Sequence, residues 1–174
     1  MTGILKADSI QSSNIKSSDG NTGLTISAAG DVALSNTVTM PAQPRFMVKG
    51  NDANYITTTP VPFGVVDIDT ANGWNTSNNR YVIQKAGDYF FSVNIGICRV
   101  TSNNGYAYPN LRLNGTSIAY SYIQMSSSTS YTNGVINVIA TCAVNDYVDV
   151  KFHASGGDYY NNTQECRFSG YMLG

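Results

Sequence analysis

Through residues 44–174, apolar positions recur with a period of two, and turn residues interrupt them roughly every ten positions. The clearest run is KAGDYFFSVNIG, residues 85–96. On a strand, Tyr89, Phe91, Val93, Ile95 and Ile97 share one face, while Phe90, Ser92, Asn94 and Gly96 share the other. The first set is a core face. Phe90 is left as a lone large apolar group on a polar face and requires a partner.

The same reading predicts strands over Arg45–Lys49, Phe63–Ile68, Arg80–Ile83 and Tyr89–Val100. Tyr108–Asn114 follows and ends in Asn114-Gly115, a strong hairpin signal leading into Thr116–Ile123. Val135–Val144 places Ile136, Val138, Ala140 and Cys142 on one side, and Asn145-Asp146 turns the chain into Tyr147–His153. In the closing CRFSGYMLG, Phe168 and Met172 share one face, and Arg167, Tyr171 and Leu173 share the other. A last strand that is partly apolar on both faces belongs in the middle of a sheet or at a subunit contact. No stretch has a helical period. The fold class expected is all-β, a two-sheet jelly-roll sandwich.

Residues 1–43 read differently. They are rich in Ser, Asn, Thr and Gly, with short apolar pairs at Leu24/Ile26, Val32/Leu34 and Val38/Met40. The first two pairs are joined by Ala29-Gly30-Asp31. Each is too small to form a core alone, so the segment is either disordered or ordered by pairing with copies of itself. Pro41 and Pro44 mark its boundary with a globular part spanning 44–174.

Charge narrows the function. Only 12% of the 174 residues are charged and the formal net charge is −1, which argues against a nucleic-acid or anionic-membrane binder. No apolar stretch is long enough to span a bilayer, and MTGILKADSI lacks the form of a signal peptide. Cys98, Cys142 and Cys166 fall in three predicted strands without CxxC spacing, so they are expected as buried reduced thiols, consistent with synthesis in a cytosol.

Candidate chemistry is sparse. The single histidine, His153, lies on a polar strand face beside Asp149 and Lys151, and no nucleophile elbow, phosphate loop or Cys/His pair is present. An enzyme is not expected. Asp67 and Asp69, two apart, would share a strand face and offer two oxygens to calcium, too few alone for a site. No other metal and no cofactor is expected. Binding has the better support. Tyr106, Tyr108, Tyr120, Tyr122, Tyr131, Tyr159 and Tyr160 lie in or beside stretches such as SNNGYAYPN and GGDYYNNT, and Trp74 sits in TANGWNTSNN. Rigid amphipathic rings among small polar groups have the composition of adaptable recognition surfaces. Trp74, Tyr106, Tyr108, Tyr159 and Tyr160 are therefore the candidate ligand contacts.

Four ordered stretches, GWNTSNNRYVIQKAGDYFFSV, LRLNGTSI, VINVIATCAVNDYVDVKF and RFSGYMLG, resemble the C1q/TNF-like globular domain over about residues 45–174. Where the family usually has proline before the glycine, this chain has Lys85-Ala86 before Gly87, and where it has glycine this chain has Asn145 before Asp146; both substitutes suit turns. The stretch ILKADSIQSS, followed by GLTISAAGDVAL, resembles arm and stalk segments of bacteriophage tail fibres and other virion proteins.

The first resemblance implies a ten-stranded jelly roll assembled as a homotrimer, with Phe90 near the axis beside Tyr171 or Leu173. The second implies a virion protein made in the host cytoplasm, attached to other virion proteins through residues 1–43, with Ile4, Leu5, Ile10, Leu24 and Ile26 as the attachment residues. The expected role is a fibre tip or knob whose head binds a host-surface glycan or protein. The alternative is a capsid decoration protein whose arm staples capsid subunits and whose head is a passive cap.

Overall fold

In the computed structural model of the chain, residues 14–16, 22–26, 32–34, 43–55, 60–97, 99–100, 106–124, 132–155, 157–161 and 163–173 are described. The chain divides into two units, Met1–Pro41 and Ala42–Gly174. In the first, β1 (Asn14–Lys16), β2 (Thr22–Ile26) and β3 (Val32–Leu34) form an antiparallel sheet in that order. Leu24 stands opposite Leu34 and Ile26 opposite Val32, so the two apolar pairs seen in the sequence are in register with each other. Ile4, Leu5, Ile10, Val38 and Met40 lie outside the described residues.

The second unit continues with β4 (Arg45–Lys49), β5 (Ala53–Tyr55), β6 (Val65–Asp69), β7 (Trp74–Asn75), β8 (Arg80–Val82) and β9 (Gly87–Ile97). After these come β10 (Arg99–Val100), β11 (Tyr106–Leu113), β12 (Thr116–Tyr120), β13 (Ile123–Gln124) and β14 (Thr132–Cys142). The last three are β15 (Tyr147–Ser155), β16 (Gly157–Asn161) and β17 (Arg167–Met172). A five-stranded sheet runs β14-β9-β17-β4-β6, and a six-stranded sheet runs β12-β11-β15-β8-β7 with β13 also on β11. All pairings are antiparallel, and no helix occurs among the described residues. β17 is central, between β9 and β4, as its two-sided pattern requires.

The inward faces of these sheets make one core. Tyr89, Phe91, Val93 and Ile95 from β9 meet Tyr81, Leu111, Val148, Val150 and Phe152 from the other sheet. Its centre is aromatic: Phe46 stacks on Tyr81 at 4.1 Å between ring centres and meets Phe168 edge-on at 4.9 Å. Cys142 and Cys166 are buried, with Cys166 Sγ 3.9 Å from the Gly96 carbonyl oxygen, and Cys98 lies outside the described residues.

Two turns are bolted together. Asn114 (φ 51°) and Gly115 (φ 81°) both take left-handed backbone, the type I′ geometry that a two-residue hairpin needs. Asn114 Nδ2 donates to Asp146 Oδ1 at 2.7 Å, the Tyr147 amide donates to Asn114 Oδ1, and the Ala143 amide donates to Asp146 Oδ2. The bond from Asn114 first, and the Ala143 amide second, hold the Asp146 carboxyl below its ordinary pKa. Asn145 has φ 71°, which explains why the family uses glycine there and why asparagine serves as well.

Some boundaries differ from expectation. GGDYYNNT, read as a loop, contains β16, which pairs with β5 and β10. The run expected over Thr116–Ile123 divides after Tyr120, because β12 pairs with Asn110–Leu113 whereas β13 returns to Tyr106 and Ala107. On β6 a register shift opposite Met47/Val48 leaves Asp67 without a cross-strand position.

Gly170 shows how tight the core is. A Cβ there would lie 2.6 Å from Phe91 Cδ1 and 2.7 Å from Phe46 Cε1, both on buried rings. Gly170→Ala should therefore lose about 1–3 kcal/mol of stability by overpacking. Urea unfolding checks this, and an unchanged midpoint would mean that the two rings yield freely.

Candidate functional site

The strand register gives Phe90 its partners. Phe90 stands opposite Ile139 on β14 and opposite Tyr171 on β17, which sets the three side by side across the outer face of the five-stranded sheet. The Phe90 and Tyr171 rings are 5.4 Å apart. Ile139 is 60% exposed and Tyr171 47%, and Leu173, just past β17, is exposed too. Away from this row the face is mostly polar, with Ser92, Asn94, Asn137 and Ser169 on it. Period two along β14 marks Ile136, Val138, Ala140 and Cys142 as the core side but does not by itself show what stands beside Ile139 on the other side. The signal was present: Val135 and Ile139 alternate with that core set.

The second feature lies on the outer face of the six-stranded sheet. Tyr106, Tyr108, Asn110 and Arg112 project from β11, and Asp149, Lys151 and His153 project from β15 in register with them. The rings of Tyr106, Tyr108, Tyr122 and His153 form a set of near-parallel neighbours. Tyr106 to Tyr122 is 5.3 Å, Tyr122 to Tyr108 is 5.1 Å, and Tyr108 to His153 is 4.6 Å. Tyr120 leans in at 5.8 Å from Tyr108. Tyr120 is 62% and Tyr122 59% exposed, and Tyr106 is exposed as well. Five rings from three strands and one connecting segment thus form a contiguous surface. The sequence marks Tyr106 and Tyr108 as candidate ligand contacts, Tyr120 and Tyr122 as tyrosines in or beside loops, and His153 as a residue on a polar strand face. Same-face alternation on two strands could have shown the cluster, but only once their register was known.

Next to the rings lies a charged group. Arg112 Nε donates to Asp149 Oδ1 at 2.7 Å, and Asp149 is 1% exposed although it points away from the core. Arg80 lies over the Tyr147 ring, 4.0 Å from its centre. Burial first, then the Lys151 and Arg112 charges, lower the pKa of His153, which keeps it neutral at pH 7. A neutral imidazole flat against a phenol ring belongs to the aromatic surface, not to a general base poised over a nucleophile.

The remaining candidates fall elsewhere. Trp74 packs on the core, edge-on to Phe63 and Phe168, and forms one wall of an open groove of about 370 Å³ with Asn72, Asn75, Thr76 and Gln84. Tyr159 and Tyr160 lie in β16, opposite Tyr55 and Asn54, with side chains outside those described. Asp67 and Asp69 do not share a face. Asp67 bonds Lys49 at 2.6 Å, whereas Asp69 stands opposite core-facing Phe46 and accepts from the Gly73 and Trp74 amides. The register shift at Asp67 breaks the alternation that a shared calcium site required. Among the described residues no group of three His, Cys, Asp or Glu side chains could hold a metal ion. Burial first, then the Asp146 and Asp88 charges, push the Cys142 thiol up to about 11, away from nucleophilic use near pH 7.

Comparison with known proteins agrees with this architecture. The family model of the C1q domain matches residues 45–173, and the chain belongs to that family. The globular domain of zebrafish complement 1qA protein is similar in structure, with a TM-score of 0.58 at 16% identity, covering 76% of this chain and 98% of that one. Eiger TNF from S. frugiperda gives 0.60 at 9% identity, covering 76% and 93%. Murine APRIL at pH 5.0 gives 0.57 at 12% identity, covering 75% and 99%. At these identities the likeness shows the fold, a C1q/TNF-type jelly roll, and domains of this type are in general not enzymes. No protein of curated function matches the chain in sequence.

The Arg112–Asp149 pair makes the cationic part of the face testable. Arg112→Met leaves a buried carboxylate without its counter-charge and should cost about 3 kcal/mol. Arg112→Met combined with Asp149→Leu should recover most of that loss in chemical denaturation. A double variant as unstable as the single one would show that packing, not charge, is what Arg112 supplies.

Proposed function

We propose that this C1q-family chain is a structural protein of a bacteriophage particle, a homotrimeric knob. Residues 1–43 attach it to other virion proteins, and the head projects outward to bind a host-surface glycan or protein. The observation that carries this reading is the row Phe90–Ile139–Tyr171 on the outer face of one sheet, in which Ile139 and Tyr171 are exposed and Phe90 half-buried, with exposed Leu173 nearby. A monomer leaves Ile139, Tyr171 and Leu173 exposed to water. Burying one aromatic side chain removes about 150–250 Å², worth roughly 4–6 kcal/mol as an upper bound. A closed ring of three copies around this face satisfies it without leaving an open contact for further growth.

The virion placement is supported by the arm. Its text resembles phage fibre segments, and its short strands pair their apolar positions in register while offering too little surface for a core of their own. Such a sheet gains stability from a partner. Adhesion is supported by the tyrosine-rich second face and by the arithmetic of three linked heads, which turns weak single contacts into useful avidity.

Two measurements test the proposal. Light scattering on the purified chain should give a trimer, and Ile139→Lys should give a folded monomer at micromolar concentration, because Ile139 is exposed in the single chain. A trimer that survives the lysine removes this face from the subunit contact. Quantitative mass spectrometry of purified particles should find at most a few dozen copies per virion. Parity with the major capsid protein would replace the knob with a capsid decoration protein.

A further inference from the structure

We infer that the outer face of the six-stranded sheet is the ligand-binding surface of the head, and that its ligand is an acidic glycan, a saccharide bearing carboxylates. The inference rests on the adhesive reading above and supplies its ligand class and site.

The aromatic half of the surface fits sugars. Tyr106, Tyr108, Tyr120, Tyr122 and His153 form one patch, and the most exposed of its rings are phenols. Phenols combine a flat apolar body with a polar tip, so the C–H face of a pyranose can lie on the ring while the hydroxyl bonds to the sugar. β11 and β15 hold Tyr106, Tyr108 and His153 on paired backbone, which fixes the patch with little entropy to lose on binding.

The charge beside the rings selects the acid. Lys151 stands on β15 two residues from His153, opposite Asn110, and has no ion-pair partner among the described residues. The only carboxylate described on this part of the face is Asp149, which is buried and already neutralised by Arg112. Among the described residues, an incoming carboxylate therefore meets a cation without a competing anion. Burial first, and then the Lys151 and Arg112 charges, lower the pKa of His153, so the two cations act in the same sense on this part of the face.

A second copy of the chain is a poorer occupant. The exposed aliphatic Ile139 and its row lie on the other sheet, whereas this surface is phenolic and basic. A nucleic acid would call for more than one uncommitted cation beside the rings.

The test titrates the full-length chain with polygalacturonate, a uronic-acid polymer, and with dextran as the neutral control, while light scattering reads the oligomer in the same samples. Polygalacturonate should bind at least tenfold tighter than dextran, and the difference should shrink as salt rises. Tyr122→Ala should weaken polygalacturonate binding at least tenfold, and Lys151→Met should abolish the preference over dextran, both with the oligomer unchanged. A trimer that binds neither polymer, or prefers dextran, overturns the ligand class while leaving the knob reading intact. Binding that survives both substitutions overturns the site. Dissociation of the trimer by Tyr122→Ala would make the patch a subunit contact and likewise overturn it. A wild-type monomer that binds nothing would sink the knob reading together with this inference.

Discussion

Eleven residues of β9 pair without a register shift to β14, and six residues of β17 pair with them on the other side. That continuity is the constraint on which the rest depends. Because side chains alternate strictly along a strand, fixing Phe91 in the core fixes Phe90 outside it, and the register then decides what stands next to Phe90. A slip of one residue would exchange Tyr89, Phe91, Val93 and Ile95 for Phe90, Ser92, Asn94 and Gly96 in the core. The aromatic centre around Phe46, Tyr81 and Phe168 allows no such exchange, because Gly170 already leaves only the space of a missing Cβ between Phe46 and Phe91.

The second sheet is held by a different device. Its hairpin at Asn114-Gly115 and the turn at Asn145-Asp146 share hydrogen bonds, so the ends of β11 and β15 are fixed against each other. From that end the register runs without interruption through Leu113↔Val148 to Tyr106↔Ser155. This is why Tyr108 meets His153 and why Arg112 meets Asp149. The position of the aromatic surface is thus set at the turn, about seven residues away, by two asparagine side chains' tolerance of left-handed backbone and by one carboxylate.

How far sequence reaches into this molecule follows from which forces are local. Alternation is local, so β4 appeared with its bounds intact, and the core faces of β9 as far as Ile95, of β14 and of β17 were legible. Asn-Gly chemistry is local, and the hairpin was legible for that reason. Register is not local. Phe90 could be recognised as needing a partner, and Tyr171 named beside it, but Ile139 required knowing which residue of β14 stands opposite. The same gap hid the ring cluster, whose members lie up to 47 positions apart in the chain (Tyr106 to His153). A register shift defeated the calcium argument, since period-two counting from Asp67 to Asp69 fails where the strand takes an extra residue. β16 was unreadable because its GDYYN resembles loop composition, and only its neighbours β5 and β10 make it a strand.

The two outer faces of the sandwich therefore carry different chemistry for a physical reason. An oligomer contact profits from aliphatic and aromatic surface that water leaves entirely, and Ile139 with Phe90 offers that on the five-stranded sheet. A face meant for a hydrated ligand must stay soluble when empty, which phenols, an imidazole and a lysine permit and aliphatics do not. A shallow face of this kind would cover only one side of a saccharide, so each copy of the proposed knob would bind weakly. In the proposed trimer that weakness is offset by number, since three heads on one particle rebind faster than they escape. In that proposed arrangement, self-association on one sheet and ligand contact on the other would let the assembly that supplies avidity form without covering the surface that uses it.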